Sequence, residues 1–514
     1  MLLLRSVGVL LVILLVPSTI VAQATFTQIA ISGGAAPGVA GVEHGSFDFP
    51  SINESGDVAF LASLTTEPQT EAIFGPTSGA GSPLGVIAIT GGTAPGTGGE
   101  TYDRFFRGEE PPALNASGDV AFSTDLANGE CAVFGPMSGA GSALGLIAIA
   151  NTLAPGATDG AEFAFLSPVS LNASGDTGFL AILQTGTGSP VNSTNNSSIV
   201  GPTAGAGSAL GLVSREGEPA PGVGDGSEFD FIFVPAINAS GDVAFRAGLR
   251  ADTGDIDSSR NNAIFGPTSG AGSPLGLIAR EGDAVPGAVD GAILASFFSP
   301  ALSATGDVAF HADLRAEAGG SLGDAIFGPT SGAGSSLGLI AREGDSISGL
   351  VDGAEFRSFS LLPSINASGT TAFVGRLRGA GVNGSNDSGL FTFNAGQLEC
   401  IVREGDQVTV TLPAGTEERT VSFINFSRTG LSDAGLLAVH LFFTDGSEGI
   451  FTVAGSKTVL LGDVNLDGIV NFLDISSFIM RLTTGVVQAE ADVNLDGIIN
   501  FLDIAPFIQV LTQS

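Results

Sequence analysis

Two stretches of twelve residues near the C-terminal end carry oxygen-bearing side chains at regular positions. Each has Asp or Asn at positions 1, 3, 5, 9 and 12 and glycine at position 6, and the second begins 29 residues after the first. Calcium takes about six to eight oxygen ligands, and a loop of this length supplies them from positions 1, 3, 5, 7, 9 and 12. The spacing therefore predicts two EF-hand-like loops and two calcium ions.

Each loop offers six predicted calcium ligands. Position 7 contributes its backbone carbonyl oxygen, so an apolar residue there does not spoil the site. The ligands are Asp463, Asn465, Asp467, Ile469, Asn471 and Asp474 in the first loop, and Asp492, Asn494, Asp496, Ile498, Asn500 and Asp503 in the second. A chance Asp/Asn-rich turn explains one such loop far better than two intact loops in tandem.

Apolar residues at helical spacing follow each loop and predict a short helix after it. The two stripes are Phe472, Ile475, Phe478 and Leu482, then Phe501, Ile504, Ile508 and Leu511. Pro506 fits only in a first helical turn, so we expect the second helix to begin near Leu502 or Asp503.

This tail, residues 462–512, resembles a type I dockerin, the module that docks onto cohesin domains. Asp474 and Asp503 carry the resemblance, because a general EF-hand has glutamate at position 12. The resemblance implies calcium, a cohesin-like partner, and a role in partner choice for loop positions 10 and 11. Those positions hold Phe472, Leu473, Phe501 and Leu502.

The docking pairs are identical in the two halves of the tail. A near-duplicate sequence predicts a near two-fold module that presents equivalent faces to a partner in two orientations. Leu473 and Leu502 have a second interpretation as core residues, since each begins an apolar helix.

The rest of the chain is a repeat. A phrase of the form Asn-x-x-Gly-Asp-Val-Ala-Phe recurs seven times at intervals of 57 to 66 residues, with its glycine at Gly56, Gly118, Gly175, Gly241, Gly306, Gly369 and Gly435. Asparagine and glycine indicate a tight turn, and the alternation after them indicates a strand with one buried face. Two further phrases recur in the repeat. A looser hairpin is indicated by Ile-Phe-Gly-Pro-Thr-Ser-Gly-Ala-Gly-Ser, and an outer strand by Leu-Gly-Leu-Ile-Ala-Arg-Glu-Gly-Asp.

Seven units of four strands predict a closed β-propeller, because closure leaves no long sheet edge exposed. An open solenoid is the alternative, although its repeats usually run about 20 to 45 residues. The outer strand occurs eight times, first at 27–31 and last at 457–461. Either the N-terminal copy closes the ring or the C-terminal copy does. We predict a mainly β fold, with a seven-bladed β-propeller at 25–457 and a small α-helical domain at 458–514.

The Asn-x-x-Gly-x-x-x-Phe phrase resembles that of a bacterial family of exported tandem-repeat proteins with interchangeable C-terminal anchors. The resemblance covers roughly residues 25–455 and implies no activity. Ser303 and Ser432 replace the asparagine in two units, and Val439 replaces the last phenylalanine. The match is carried by Asn53, Gly56 and Phe60; Asn115, Gly118 and Phe122; Asn238, Gly241 and Phe245; and Asn366, Gly369 and Phe373.

Charge and the N-terminal segment limit the partners and the location. The formal charge is −34 and Lys457 is the one lysine, which excludes a nucleic-acid surface. Residues 1–24 read as a signal peptide, with Arg5, an apolar run at 7–16 and a small-x-small site at 22–24. That run is shorter than the roughly 20 residues that span a bilayer. We expect a secreted or cell-surface protein without a membrane span.

Cysteine usage agrees with a fold that does not depend on disulfides. Cys131 and Cys400 are the two cysteines of the chain, and they fall in non-equivalent strands of distant units. Two thiols that pack as small apolar residues are favoured over a bridge between them.

Three functions are open: a non-catalytic exported propeller attached through the dockerin, a polysaccharide-degrading enzyme, and a sugar-binding propeller. A glycosidase needs two carboxylates about 5 to 10 Å apart. Most acids instead follow the repeat, which favours structural roles and the first function. They are Asp57, Asp119, Asp176, Asp242 and Asp307 after the turn, and Glu216, Glu281, Glu343 and Glu404, expected near Arg215, Arg280, Arg342 and Arg403.

A few residues break the repeat and keep catalysis open. The irregular acids are Asp103, Glu109, Glu110, Asp252, Asp255 and Asp257, which are either solvated loop residues or parts of a site. The histidines His44, His311 and His440 lack metal-ligand spacing.

Overall fold

The structure is a computed structural model that describes residues 20–21, 24–106, 110–185, 191–251, 261–288, 290–347, 350, 353–360, 362–454, 458–459, 464, 474–484, 493 and 500–513. The chain forms two compact units. One is Thr25–Gly455, and the other joins Met1–Ala24 with Ser456–Ser514. The predicted signal peptide lies outside the described residues except at 20–21 and 24.

Seven antiparallel sheets, here called blades 1 to 7, make up the unit Thr25–Gly455. Two strands precede blade 1, namely β1 (Ile20–Val21) and β2 (Thr25–Ile31). Blades 1 to 3 contain β3 (His44–Phe47), β4 (Ser51–Ile52), β5 (Val58–Leu64), β6 (Thr70–Pro76) and β7 (Leu84–Ile89); β8 (Tyr102–Phe105), β9 (Ala113–Leu114), β10 (Val120–Leu126), β11 (Cys131–Pro136) and β12 (Leu144–Ile149); and β13 (Phe163–Leu171), β14 (Thr177–Leu183), β15 (Ser197–Pro202) and β16 (Leu210–Arg215).

The remaining blades follow the same plan, and blade 7 adds a hairpin. Blades 4 to 6 contain β17 (Ser227–Ile232), β18 (Ala236–Ile237), β19 (Val243–Ala251), β20 (Asn262–Pro267) and β21 (Leu275–Arg280); β22 (Ala292–Phe297), β23 (Ala301–Leu302), β24 (Val308–Ala316), β25 (Ser321–Pro329) and β26 (Leu337–Arg342); and β27 (Glu355–Phe359), β28 (Ser364–Ile365), β29 (Thr371–Arg378), β30 (Ser388–Asn394) and β31 (Gln397–Arg403). Blade 7 contains β32 (Gln407–Leu412), β33 (Gly415–Asn425), β34 (Leu436–Phe443) and β35 (Glu448–Ala454).

The blades close into a ring, which confirms the predicted seven-bladed propeller and excludes the open row. The short strands β4, β9, β18, β23 and β28 lie against their counterparts in neighbouring blades, and β34 of blade 7 lies against β4 of blade 1. The innermost strands therefore surround one central axis.

The N-terminal strand completes the last blade. Strand β2 pairs antiparallel with β35 as the outer strand of blade 7, with Thr25 opposite Ala454 and Ile31 opposite Gly449. The Gln28 side chain adds two hydrogen bonds to the backbone of Thr411 in the extra hairpin, at 2.8 and 3.0 Å. The second outer-strand candidate, at 457–461, leaves the propeller, because β36 (Thr458–Val459) pairs with β1 instead.

The core lies between blades. In five blades the phenylalanine of the turn phrase lies on the second strand and stacks on a phenylalanine of the third strand, as Phe122 does on Phe134 with ring centroids 5.6 Å apart. Ala59 and Leu61 of blade 1 pack in the same buried cluster as Phe122 and Phe134 of blade 2. Burying such a side chain is worth about 1.5 to 3 kcal/mol, so each blade is stabilised chiefly by its neighbours.

The C-terminal part has two described helices, α1 (Asp474–Thr484) and α2 (Ile504–Gln513). Pro506 falls in the first turn of α2, as a residue without a backbone N–H requires. The predicted stripe is wrong at Ile508, which is 55% exposed, whereas its neighbour Phe507 is buried. Phe507 stacks on Phe478 with ring centroids 3.9 Å apart, because the core forms between the two helices.

Candidate functional sites

The recurring asparagines form a buried belt around the central axis. Asn115 Oδ1 accepts the N–H groups of Ser117 and Asp119 at 3.0 and 2.9 Å. Its Nδ2 donates to Asp119 Oδ2 and to the carbonyl oxygen of Asn172 in the next blade, at 2.9 and 3.3 Å. Asn53, Asn172 and Asn366 donate across their blade boundaries in the same way. The asparagine thus closes its own turn and joins two blades.

The recurring aspartates hold the Gly-Pro-Thr-Ser loops onto the turns, and together these segments form what we call the turn face. Asp119 Oδ2 accepts the Gly141 N–H at 2.8 Å. Equivalent bonds join Asp57 to Gly81, Asp176 to Gly207, Asp242 to Gly272 and Asp307 to Gly334. These five carboxylates therefore have structural partners.

The turn glycines admit the loop of the preceding blade. The Ala80 N–H donates to the Ser117 carbonyl oxygen at 2.8 Å, which brings the loop of blade 1 onto the turn of blade 2. Gly118 has φ +80°, and a Cβ there would lie 2.4 Å from the Ala80 nitrogen. A side chain is excluded at this position by both backbone conformation and space.

The recurring glutamates do not pair with the arginines that precede them, and this prediction is wrong. Those arginines bind acids of the loop that enters their own blade, as in Arg215–Asp159 at 2.7 Å. The glutamates instead face an arginine of the next blade, as in Glu216–Arg250 at 3.7 Å and Glu343–Arg378 at 3.0 Å. Successive side chains of an extended chain point to opposite sides, so neighbours in sequence find different partners.

Glu404 departs from that pattern. Thr444 stands in blade 7 where blades 4 to 6 have the pairing arginine, and the carboxyl group of Asp387 lies beside Glu404 instead. Burial and the Asp387 carboxyl raise the pKa of Glu404 to about 7. On its other side Asp387 Oδ1 lies 3.6 Å from Arg376 Nη1. The sequence predicted Glu404 to be a regular member of the repeat and gave no prediction for Asp387. Asp387 could have been recognised as an acidic residue at the position where blades 3 and 4 have asparagine.

A cavity of about 300 Å³ opens beside this group, between blades 6 and 7. The Arg376 guanidinium lies 5.7 Å from the ring centroid of Phe423, at the cavity wall. The cavity combines an aromatic wall with a few polar groups, which is typical of small-molecule sites. Its lining includes Phe49, Phe359, Phe423, Phe426, Ser358, Ser360, Val374, Arg376, Ser388 and Asn425.

The centre of the ring holds a buried ion pair. Arg428 extends from blade 7, and its Nε lies 2.8 Å from Glu110 Oε2 of blade 2. Its Nη2 also donates to the Pro235 carbonyl oxygen of blade 4 and to Ser170 Oγ of blade 3, at 2.8 and 3.1 Å. Glu110, one of the irregular acids, thus has a structural partner across the axis.

Of the other irregular acids, Asp103 is the one that the described residues include. Asp103 is exposed on β8. Glu109, Asp252, Asp255 and Asp257 lie outside the described residues.

Three predicted calcium ligands fall within the described residues. Asp474 begins α1, and Asn500 and Asp503 end the second loop. The Asp503 side chain is completely buried, and its Oδ2 accepts the Asn500 N–H at 2.8 Å. A buried carboxylate is costly unless it is paired or binds a metal, so this end of the loop fits a calcium site. Asp463, Asn465, Asp467, Ile469, Asn471, Asp492, Asn494, Asp496 and Ile498 lie outside the described residues.

The predicted docking residues are described in the second half alone. Phe501 is 80% exposed and Leu502 is 68% exposed, so neither is a core residue. Phe472 and Leu473 lie outside the described residues. None of the helices that the structure describes is long and apolar enough to cross a membrane.

Comparison with known families gives two matches, one for the repeat region and one for the tail with the predicted calcium loops. A model described as a family of unknown function (DUF7453) matches residues 20–456, and a model of the dockerin type I domain matches residues 461–512. Type I dockerin domains bind calcium and dock onto cohesins in extracellular assemblies. No curated protein matches the chain.

Several solved structures are similar to the chain at 10% sequence identity. Polysaccharide lyase Uly1 has a TM-score of 0.38, with 85% of this chain and 98% of that chain covered. Trypanosoma rangeli sialidase has a TM-score of 0.32, with 92% and 65% covered. Penicillium chrysogenum alpha-L-arabinanase complexed with arabinobiose has a TM-score of 0.30, with 74% and 100% covered.

Proposed function

The chain belongs to the DUF7453 family of unknown function and ends in a type I dockerin domain, and we propose that this domain docks a non-catalytic propeller onto a cohesin of an extracellular partner. The observation that carries the proposal is the match at 461–512 together with the exposed Phe501 and Leu502, which occupy positions 10 and 11 of a loop whose sequence has a full set of oxygen ligands. An exposed aromatic residue beside a rigid ion site is a suitable anchor for a partner.

The docking surface comprises Phe472, Leu473, Phe501 and Leu502, in two equivalent faces. Phe472→Ala or Phe501→Ala alone should weaken binding of the full chain to an immobilised cohesin only slightly, because the other face remains. The double variant should lose binding while calcium still binds. Ile508→Ala is the matched control, since Ile508 is an exposed apolar residue outside the two pairs. Loss of all binding in either single variant would exclude the two-orientation arrangement.

We propose that the tail binds two calcium ions and folds with them. Three carboxylates per loop repel one another when no cation is present. Calcium at about a thousand times its dissociation constant adds on the order of 4 kcal/mol per site. Calorimetric titration should give two ions for the chain and one for Asp467→Ala or Asp496→Ala. Chelation should remove the helical signal and leave the propeller folded; an unchanged signal would contradict this assignment.

Removal of the proposed signal peptide is compatible with closure of the ring by β2. Cleavage of the proposed signal peptide before Gln23 or Thr25 leaves β2 whole, and β2 begins at Thr25. The mass and N-terminal sequence of the protein recovered from culture medium test this step. A mature chain that began after Ile31 would lack the closing strand and would contradict the proposal.

A polysaccharide-degrading enzyme is the second candidate, because Glu404, whose pKa is raised, lies beside the carboxyl group of Asp387 near a cavity. These two groups lie within hydrogen-bonding reach of each other, whereas glycosidase carboxyl groups stand about 5 to 10 Å apart. The spacing favours binding over hydrolysis. Sugar released from polysaccharide by the wild type and not by Glu404→Gln would support the enzyme instead.

A further inference from the structure

One position between blades is filled by a polar pair in several interfaces. The pair comes from the residue after the second-strand phenylalanine (after Val439 in blade 7) and from a third-strand residue that lies diagonally across from it. In blade 4 it is Arg246 with Asn262, and the guanidinium lies 4.2 Å from the Phe233 ring centroid. In blade 5 it is His311 with Asp324 at 3.0 Å, and the imidazole stacks on Phe298. We call this position the polar layer.

Blade 7 fills the polar layer as well, and blade 6 does not. In blade 7 His440 Nε2 lies 2.6 Å from Glu448 Oε2, and the histidine is buried. In blade 6 the equivalent residues are Val374 and Ser388, and both line the cavity of about 300 Å³. The cavity is therefore the space that a side-chain pair occupies in blades 4, 5 and 7.

The groups around this space provide two kinds of contact. Phe423 is 37% exposed and offers a ring face to a bound molecule. Arg376 lines the cavity and offers hydrogen-bond donors, and Asp387, which is not part of the lining, lies 3.6 Å from its guanidinium. Ser358, Ser360, Ser388 and Asn425 add hydroxyl and amide groups within the cavity.

This combination suits a sugar ring. A pyranose has an apolar face of C–H groups that packs on an aromatic ring, and vicinal hydroxyl groups that both donate and accept hydrogen bonds. The guanidinium and the carboxylate carry opposite charges, so the mouth of the cavity has no excess charge that would select a charged ligand. The volume admits a small ligand and no polymer backbone.

We propose that the cavity between blades 6 and 7 binds one pyranose residue of a neutral glycan, with Phe423 against its face and Arg376, Ser388 and Asn425 on its hydroxyl groups. The inference deepens the proposed function by naming the ligand class of the propeller. It does not involve the docking residues, so the two proposals fail separately.

The experiment measures binding of cellobiose, mannobiose and xylobiose to the full calcium-loaded chain, by calorimetry and by saturation-transfer NMR, without any cohesin. At least one of these neutral disaccharides should bind, and Phe423→Ala and Arg376→Ala should each weaken that binding by about tenfold or more. Phe231→Ala is the matched control, since Phe231 is 40% exposed at the equivalent position of blade 4, and it should bind as the wild type does.

A second variant fills the cavity with a pair that the propeller already uses. Val374→Arg with Ser388→Asn copies Arg246 and Asn262 of blade 4, so it should keep the thermal stability of the wild type and lose sugar binding. The proposal is overturned if none of the three disaccharides binds, if the filled variant binds as the wild type does, or if Phe231→Ala weakens binding as much as Phe423→Ala.

Discussion

The turn face and the interface between blades 6 and 7 show opposite uses of a repeat. On the turn face, the asparagine and the glycine recur because each contacts a neighbouring blade, and the aspartate recurs because it holds the loop of its own blade. Between blades 6 and 7, Val374 and Ser388 leave open the space that a polar pair fills in blades 4, 5 and 7, and a cavity results. Recurrence in this protein therefore marks closure of the ring, and departure from the repeat marks the place to look for a ligand.

The largest effect should come from a turn glycine that touches the preceding loop. Gly118→Ala should lower the free energy of unfolding by about 3 kcal/mol or more, because a positive φ and a contact with Ala80 are both violated. Gly435→Ala is the control, since Gly435 has φ +81° and no atom within 4 Å of a Cβ. It should cost only about 1 to 2 kcal/mol in denaturant unfolding. Equal losses would show that the blade contact contributes nothing.

The asparagine belt should come next. Asn115→Ala removes four hydrogen bonds of a buried side chain and should cost about 2 to 3 kcal/mol in the same assay. Asn115→Ser should cost about 1 kcal/mol. Blade 5 already uses this substitute, because Ser303 Oγ accepts the Asp307 N–H at 3.0 Å. A serine variant as unstable as the alanine variant would contradict this ranking.

A smaller effect depends on pH and concerns Glu404, at the interface between blades 6 and 7. The pKa of Glu404 is raised from 4.5 to about 7, so the folded protein binds more protons than the unfolded chain between these pH values. Stability should therefore fall as the pH rises from about 4.5 to about 7, by about 2 kcal/mol relative to Glu404→Gln, and stay level above that range. Calorimetric unfolding of both proteins across this range gives the difference, and parallel curves would exclude a perturbed carboxyl group.

The smallest effect should come from the exposed ion pairs at the end of the blades away from the turn face. Arg378 is 47% exposed and its partner Glu343 is 31% exposed. Such pairs contribute about 0 to 1 kcal/mol, so Arg378→Ala should change the unfolding free energy less than any variant above. If Arg378→Ala lost more unfolding free energy than Asn115→Ala, the turn face would not be the end of the blades that contributes more to stability.

Much of the ring was predictable from the sequence. The seven glycines set the number of blades, and the residues around Gly118 predict a turn followed by a strand. The prediction that this strand has one buried face is wrong, because β10 lies between neighbouring blades and is buried on both faces. Local geometry dictates both features, so a single unit suffices to recognise them. The twelve-residue loops were equally readable, because calcium imposes its own spacing.

Contacts between distant units were not readable in this way. Glu216 meets Arg250 of the next blade, and Arg428 meets Glu110 across the axis, at separations that no local pattern encodes. The sequence left two candidates for the strand that closes the ring, and the pairing of β2 with β35 decides between them. In the tail, spacing alone predicted Ile508 as the buried residue, and the packing of α1 on α2 selects Phe507.

The pairing of β2 with β35 also sets a time order for the folding of the ring. Gln28 and its partner Thr411 are 383 residues apart. A ribosome that adds about 5 to 20 residues per second needs roughly 20 to 80 s to make the second after the first. During that interval β2 has no partner, and its unpaired backbone edge is a target for other chains. Completion of the last blade is therefore the slow step in the synthesis and folding of this protein, and until it occurs β2 is open to pairing with other chains.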